Sequence, residues 1–231
     1  MNVFTRQKVE GIAHIGERIT KMKSPHNAKL ATIVASLSKS VEALGNIHAN
    51  MNPLHTPAAH MQRVAKSGKT LAAQAESARE KLRAAVQEAA QDISSRIEAK
   101  INLKENHHAV EVRSIFRSLS PTDQVKLLIK LGDQNQGPEM AAIVSAPSYL
   151  TGISPELRDL FIEYIETKHA GAEVQERNAL LNAYKEGLIA TDLAISAASE
   201  LSDPEKLAVI EKQERAALEA DAAFDATATN A

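Results

Sequence analysis

The sequence predicts an all-α protein, with long helices in an elongated coiled-coil or helical-bundle assembly and a compact subdomain of short helices. Three observations lead there. Five of the eight prolines directly follow a helix-capping residue, at Ser24-Pro25, Thr56-Pro57, Ser120-Pro121, Ser154-Pro155 and Asp203-Pro204. A capping oxygen accepts a free N–H of the first turn, and a proline at the next position has no N–H to leave unpaired. Alanine supplies much of the 44% hydrophobic content while aromatics make up only 3%, a balance that suits long, closely packed helices. No alternating apolar–polar run and no Asn-Gly turn marks a strand or hairpin.

The elements follow in order. Residues 1–52 read as two basic helices, the first with Ile12, Ile15, Ile19 and Met22 on one face and the second opening at Pro25. "NIHANMNPLHTP" then breaks the pattern with two prolines, as a hinge or domain boundary would. Residues 57–104 form the longest helix, ~70 Å at 1.5 Å per residue. Its seam is Leu71, Ala75, Ala78, Leu82, Val86, Ala89, Ile93, Ile97 and Ile101. The 4-3-4 spacings build 11-residue units, which give a nearly straight coil. A lone helix cannot bury such a stripe, so it must pack on the chain's own neighbours or on another subunit. Leu71, Leu82, Val86, Ile93, Ile97 and Ile101 are the candidate oligomer interface.

From residue 106 to 169 the rhythm shortens to a compact helical subdomain. Its candidate core is Ile115, Phe116, Leu127, Leu128, Ile143, Leu157, Leu160, Phe161 and Ile165. Within it "IVSAPSYLTGIS" reads as a corner: Ala146-Pro147 ends one helix, Gly152 permits a tight turn and Ser154-Pro155 starts the next. Tyr149, Leu150 and Ile153 should pin this loop to the core, or else form a partner-binding loop. Residues 171–224 are acidic helices, with Leu181, Tyr184, Leu188 and Ile195 at heptad-like spacing, and residues 225–231 read as a disordered tail.

Chemistry finds little support. Zero cysteines exclude a disulfide framework, a zinc ribbon and a thiol nucleophile. "SGKT" at 67–70 resembles the end of a phosphate-binding loop, but Arg63 stands where that loop needs glycine, and a helical pattern surrounds it. His107-His108 and His55/His60 lack metal-site partners and spacing. The carboxylates interleave with Lys and Arg, as at Glu76–Arg79 and Glu80–Arg83, which is the pattern of a solvated helix surface. The expectation is a non-enzymatic chain with no catalytic residues, no cofactor and no metal.

Charge is more informative than its net of −2. Residues 1–70 hold ten Lys/Arg against three Asp/Glu, whereas residues 171–231 hold five against twelve. Such asymmetry suits an anionic partner for the head, or head-to-tail self-association. Arg6, Lys8, Arg18, Lys21 and Lys23 are the candidate anionic-partner contacts, with nucleic acid one candidate partner and a membrane surface a less favoured one. No apolar run is long enough to span a membrane, and the first 23 residues lack the apolar block of a signal peptide. The chain is expected in the cytoplasm where it is made.

"LGD" (131–133), "AAIVSAPSYLTGIS" (141–154) and the following "ELRDLFIEYIE" carry one resemblance. Residues 113–169 resemble helical proteins encoded among the head and tail morphogenesis genes of tailed phages and prophages. The resemblance implies a virion or assembly component, with other virion proteins as partners and incorporation into a phage particle. The sequence therefore points to a homo-oligomeric structural or assembly protein. The alternatives are a nucleic-acid-associated protein using its basic head, and a small regulatory or anti-defence protein that binds a host protein.

Overall fold

The computed structural model describes residues 3–104 and 107–229. Among them it has ten helices and no strand, so the protein is all-α. Four of the five capping pairs act as their chemistry dictates. Thr56 Oγ1 accepts from Ala59 N at 3.1 Å, Ser120 Oγ from Asp123 N at 3.3 Å, Ser154 Oγ from Leu157 N at 3.2 Å, and Asp203 Oδ1 from Lys206 N at 3.2 Å. Ser24 is the exception. Its hydroxyl accepts from His26 N within a turn, and the helix begins only at Asn27.

The chain divides into two compact units. The first joins the residues up to Val86 with those from Leu181 onward. It contains α1 (Val3–Lys21) and α2 (Asn27–Ala49), the first two thirds of α3 (Pro57–Ile101), most of α9 (Gly171–Ser202) and α10 (Pro204–Thr229). Ile12, Ile15 and Ile19 of α1 and Leu30, Val34, Leu37 and Val41 of α2 are all buried. Their 3–4 spacing gives each helix one apolar stripe, and the hairpin buries both.

The α3 seam corrects one expectation. All six candidate interface residues are buried within the single chain: Leu71, Leu82, Val86, Ile93, Ile97 and Ile101 are 0–8% exposed. The chain's own helices cover the stripe, so it offers no surface to a second subunit. The covering face of α9 also differs from the heptad expectation. Leu181 is 45% exposed, and Tyr184, Leu188 and Ile195 are only half-buried. The inward positions are instead Ala183, Gly187, Ala190, Thr191, Ala194 and Ala197. Small residues let two backbones approach, and the large α3 side chains then fill the space: a Cβ on Gly187 would stand 3.0 Å from Leu82 Cδ1.

The second unit is Gln87–Leu180, wider than the 106–169 subdomain read from sequence because it takes in the end of α3 and the start of α9. Between them lie α4 (Ala109–Ser118), α5 (Pro121–Asp133), α6 (Gly137–Val144), α7 (Ser148–Thr151) and α8 (Pro155–His169). The core is α6: Met140, Ala141, Ala142 and Ile143 are fully buried. Phe116, Leu128, Phe161 and Ile165 join it as expected. Ile115 at 59% exposed and Leu160 at 64% do not, and Leu127 and Leu157 are half-buried. Along the expected tail at 225–231, α10 continues to Thr229, as its alanine content favours, and residues 230–231 lie outside the described ones.

Ion pairs join the end of α3 to the start of α9. Arg96 reaches Glu176 at 2.7 Å and Lys100 reaches Glu173 at 2.8 Å. Glu173 is only 7% exposed. The Lys100 hydrogen bond, with the first-turn backbone N–H behind it, holds its carboxyl below the usual glutamate range. A depressed carboxylate stabilises the fold above the unfolded value of about 4.3, and that stability is lost as pH falls through the folded value. Melting temperature is therefore expected to drop on acidification below about pH 4.5. Glu173→Gln should lower it by a few degrees at pH 7 and flatten its acid dependence, as thermal melts at stepped pH would show. An unchanged pH profile would remove Glu173 from the account.

Candidate functional site

The corner at 146–154 is built as its residues dictate. After Pro147, α7 makes a single turn, and Gly152 closes it in the left-handed region at φ 76°. Its N–H donates to Ser148 O at 2.6 Å. Thr151 is buried, and its hydroxyl accepts from Ile153 N at 3.3 Å. Ile153, 1% exposed, is the residue that anchors the loop. Tyr149 is 79% exposed and Leu150 39%. So the expected pin is Ile153 alone, and the surface offered to a partner is Tyr149 with Leu150. The packing reason is that a one-turn helix has only one inward side.

Three substitutions follow from this geometry. Gly152→Ala is expected to cost ~1 kcal/mol because an L side chain is strained at that φ. Ser154→Ala should cost ~1 kcal/mol by leaving an early N–H of α8 unpaired. Tyr149→Ala should leave the urea midpoint unchanged, since the ring is in solvent. A large midpoint loss for Tyr149→Ala would show that the ring is packed after all.

The same unit carries a second exposed apolar face, where α5 meets α8. Val125 and Ile129 of α5 are 39% and 46% exposed, and Leu160 and Tyr164 of α8 are 64% and 37%. The helices meet at Gly132, where a Cβ would lie 3.0–3.2 Å from Tyr164, Ile165 and Phe161. A polar clasp fastens them. The Tyr164 hydroxyl donates to Asp133 Oδ1 at 2.5 Å, Lys168 Nζ donates to the same oxygen, and His169 Nε2 lies 2.6 Å from Gly132 O. The hydrogen bond from Lys168 holds the Asp133 carboxyl below its ordinary range, and the same bond pushes Lys168 up. Both groups stay charged near neutrality, which suits a clasp and not an acid–base pair.

Three of the five candidate anionic-partner contacts are paired within the chain. Arg6 pairs with Glu10 at 2.9 Å, Lys8 with Glu200 at 2.5 Å and Arg18 with Glu186 at 2.5 Å. Lys8 also donates to Ser196 Oγ at 2.8 Å, and the Lys8 hydrogen bond keeps the Glu200 carboxyl below its usual range. Head and tail charges thus meet inside one chain at Lys8 and Arg18, where α9 supplies the acids. Lys21 and Lys23 are exposed and make no ion pair among the described residues. The anionic-partner set therefore does not act as one patch: of its five members, two point into the unit's own acidic helix.

Sequence reasoning missed the α5–α8 face. Leu160 was assigned to the core, because "LFIEYI" gives no periodicity sharp enough to separate the buried Phe161 and Ile165 from their neighbours. Among the described residues no group of three His, Asp or Glu side chains is placed to hold a metal ion, and no described helix is long and apolar enough to cross a membrane. The sequence matches no protein-family model, and neither a curated protein nor a solved structure is similar to it.

Proposed function

We propose that the chain is a non-enzymatic structural or assembly protein of the kind found among tailed-phage morphogenesis products, working by protein contact through residues 87–180. One observation carries this reading. Of the fifteen large apolar side chains exposed among the described residues, eight belong to that unit. Single exposed apolar residues are ordinary, but a concentration on one short-helix unit marks an interaction surface. Side-chain caps fix the starts of α5 and α8, which present four of the eight, and a small fully buried core supports the unit, so that part of the surface is pre-organised. Pre-organised contacts lose little ordering entropy on binding.

The test is incorporation. Fractionation of producing cells should place the wild-type chain in an assembly at fixed stoichiometry. The Tyr149→Asp, Leu150→Asp variant should leave that fraction while keeping its helicity. A wild-type chain that never leaves the free pool would overturn the reading.

A further inference from the structure

The α5–α8 face has a charge pattern that specifies its own partner. On α5 each exposed apolar residue is followed by a lysine: Val125-Lys126 and Ile129-Lys130. On α8 each is preceded by an acid: Asp159-Leu160 and Glu163-Tyr164. All four charged residues are exposed. Residues four apart lie on one side of a helix, so Lys126 and Lys130 make a basic rim on α5, where Lys126 also pairs with Asp123 at 3.1 Å, and Asp159 and Glu163 make an acidic rim on α8, where Asp159 lies 3.6 Å from Arg158. The apolar side chains lie beside these rims, flanking the crossing at Gly132.

We infer that this face is a two-fold dimer surface whose partner is a second copy of the same chain, an inference that rests on the protein-contact reading above. A two-fold axis along the α5–α8 groove sets α5 of one copy on α8 of the other. Lys126 and Lys130 then meet the partner's acidic rim, and the same contact repeats with the roles exchanged. That is the self-complementarity an isologous interface requires. A partner of uniform charge gains from one rim and is repelled by the other, so the pattern selects against it. Val125 and Ile129 pack on the opposing Leu160 and Tyr164, which supplies the apolar centre inside a polar rim. The Asp133–Lys168 clasp holds the two helices in fixed relation, so both halves of the contact form together. Four helices of this length give a contact at the lower end of the stable range, about 1,200 Å². The dimer is therefore expected to depend on concentration and to weaken with salt.

The experiment is a charge swap read by sedimentation equilibrium on the purified full chain. Wild type should dimerise, with a dissociation constant that rises at high salt. K126E/K130E makes both rims acidic and D159K/E163K makes both basic. Each variant alone should self-associate at least ten-fold more weakly while its circular dichroism stays native. Mixed in equal amounts, the two should form a heterodimer, because each rim again meets its opposite. Wild type that is monomeric at several hundred micromolar overturns the inference, as does a dimer unaffected by either reversal. Because only pure protein is used, failure here leaves the incorporation test standing on its own.

Discussion

Gly137→Ala is expected to destabilise residues 87–180 by about 3 kcal/mol or more, at the upper end of what one added methyl does to a packed interior. Gly137 opens α6, the buried core of its unit. A Cβ there would stand 2.3 Å from Asn102 O and 2.6 Å from Ile101 O. Both are backbone atoms at the end of α3, where Asn102 takes φ 54° to stop the helix. A flexible side chain could swing aside, but a carbonyl fixed by its own helix end cannot. Relief would require α6 to back away, which would open the contacts of Met140 through Val144. Urea unfolding should show a lowered midpoint. Gly171→Ala serves as the control, because a Cβ there meets nothing within 4 Å. If the two substitutions proved equally mild, the close approach of α6 to the end of α3 would be wrong.

The reasons Gly137 was not legible from sequence apply more widely. Locally, a glycine before Pro138 marks only a helix start. The crowding comes from residues 35 positions away, and nothing local encodes that distance. Helix starts were legible because a cap and a proline act over three residues, and Ser120, Ser154, Thr56 and Asp203 all cap as their chemistry requires. Ser24 misled because the same hydroxyl also stabilises a simple turn. The α3 seam was legible as an apolar face, since period alone reveals it. Its covering was not: the large residues of α9 suggested a heptad, while the face in use is its small one. Close packing favours the side that lets backbones approach, and a hydrophobicity pattern ranks that side lower.

The candidate site was legible only in part. Gly152 and Ser154 announced the corner through turn chemistry. The exposure of Tyr149 depends on which side of a one-turn helix faces the core, and four residues carry no period from which to read it. The charge asymmetry raised head-to-tail association. It left open whether the tail belonged to the same chain, and Lys8–Glu200 and Arg18–Glu186 answer that within one chain.

Leu82→Ala should cost about 3–4 kcal/mol, within the range for removing a buried leucine, and Leu82→Asp should unfold the unit formed by the N- and C-terminal segments. The second outcome separates two roles for the seam. An intersubunit leucine changed to Asp yields a folded monomer, whereas a leucine buried within the chain yields an unfolded one, because an unpaired carboxylate cannot be left in that core. Gly187 then reports on the packing itself. In the wild type, a methyl on Gly187 gains about 1 kcal/mol of helix propensity. It also meets Leu82 Cδ1 at 3.0 Å and Cδ2 at 3.2 Å, so crowding cancels or reverses that gain. Once Leu82 is alanine the obstruction is gone, and Gly187→Ala is expected to stabilise by about 1 kcal/mol. The change of sign between backgrounds is a coupling that only touching residues show. Urea denaturation of the four variants measures it. Additivity within about 0.3 kcal/mol, or a folded Leu82→Asp monomer, would return the seam to the surface.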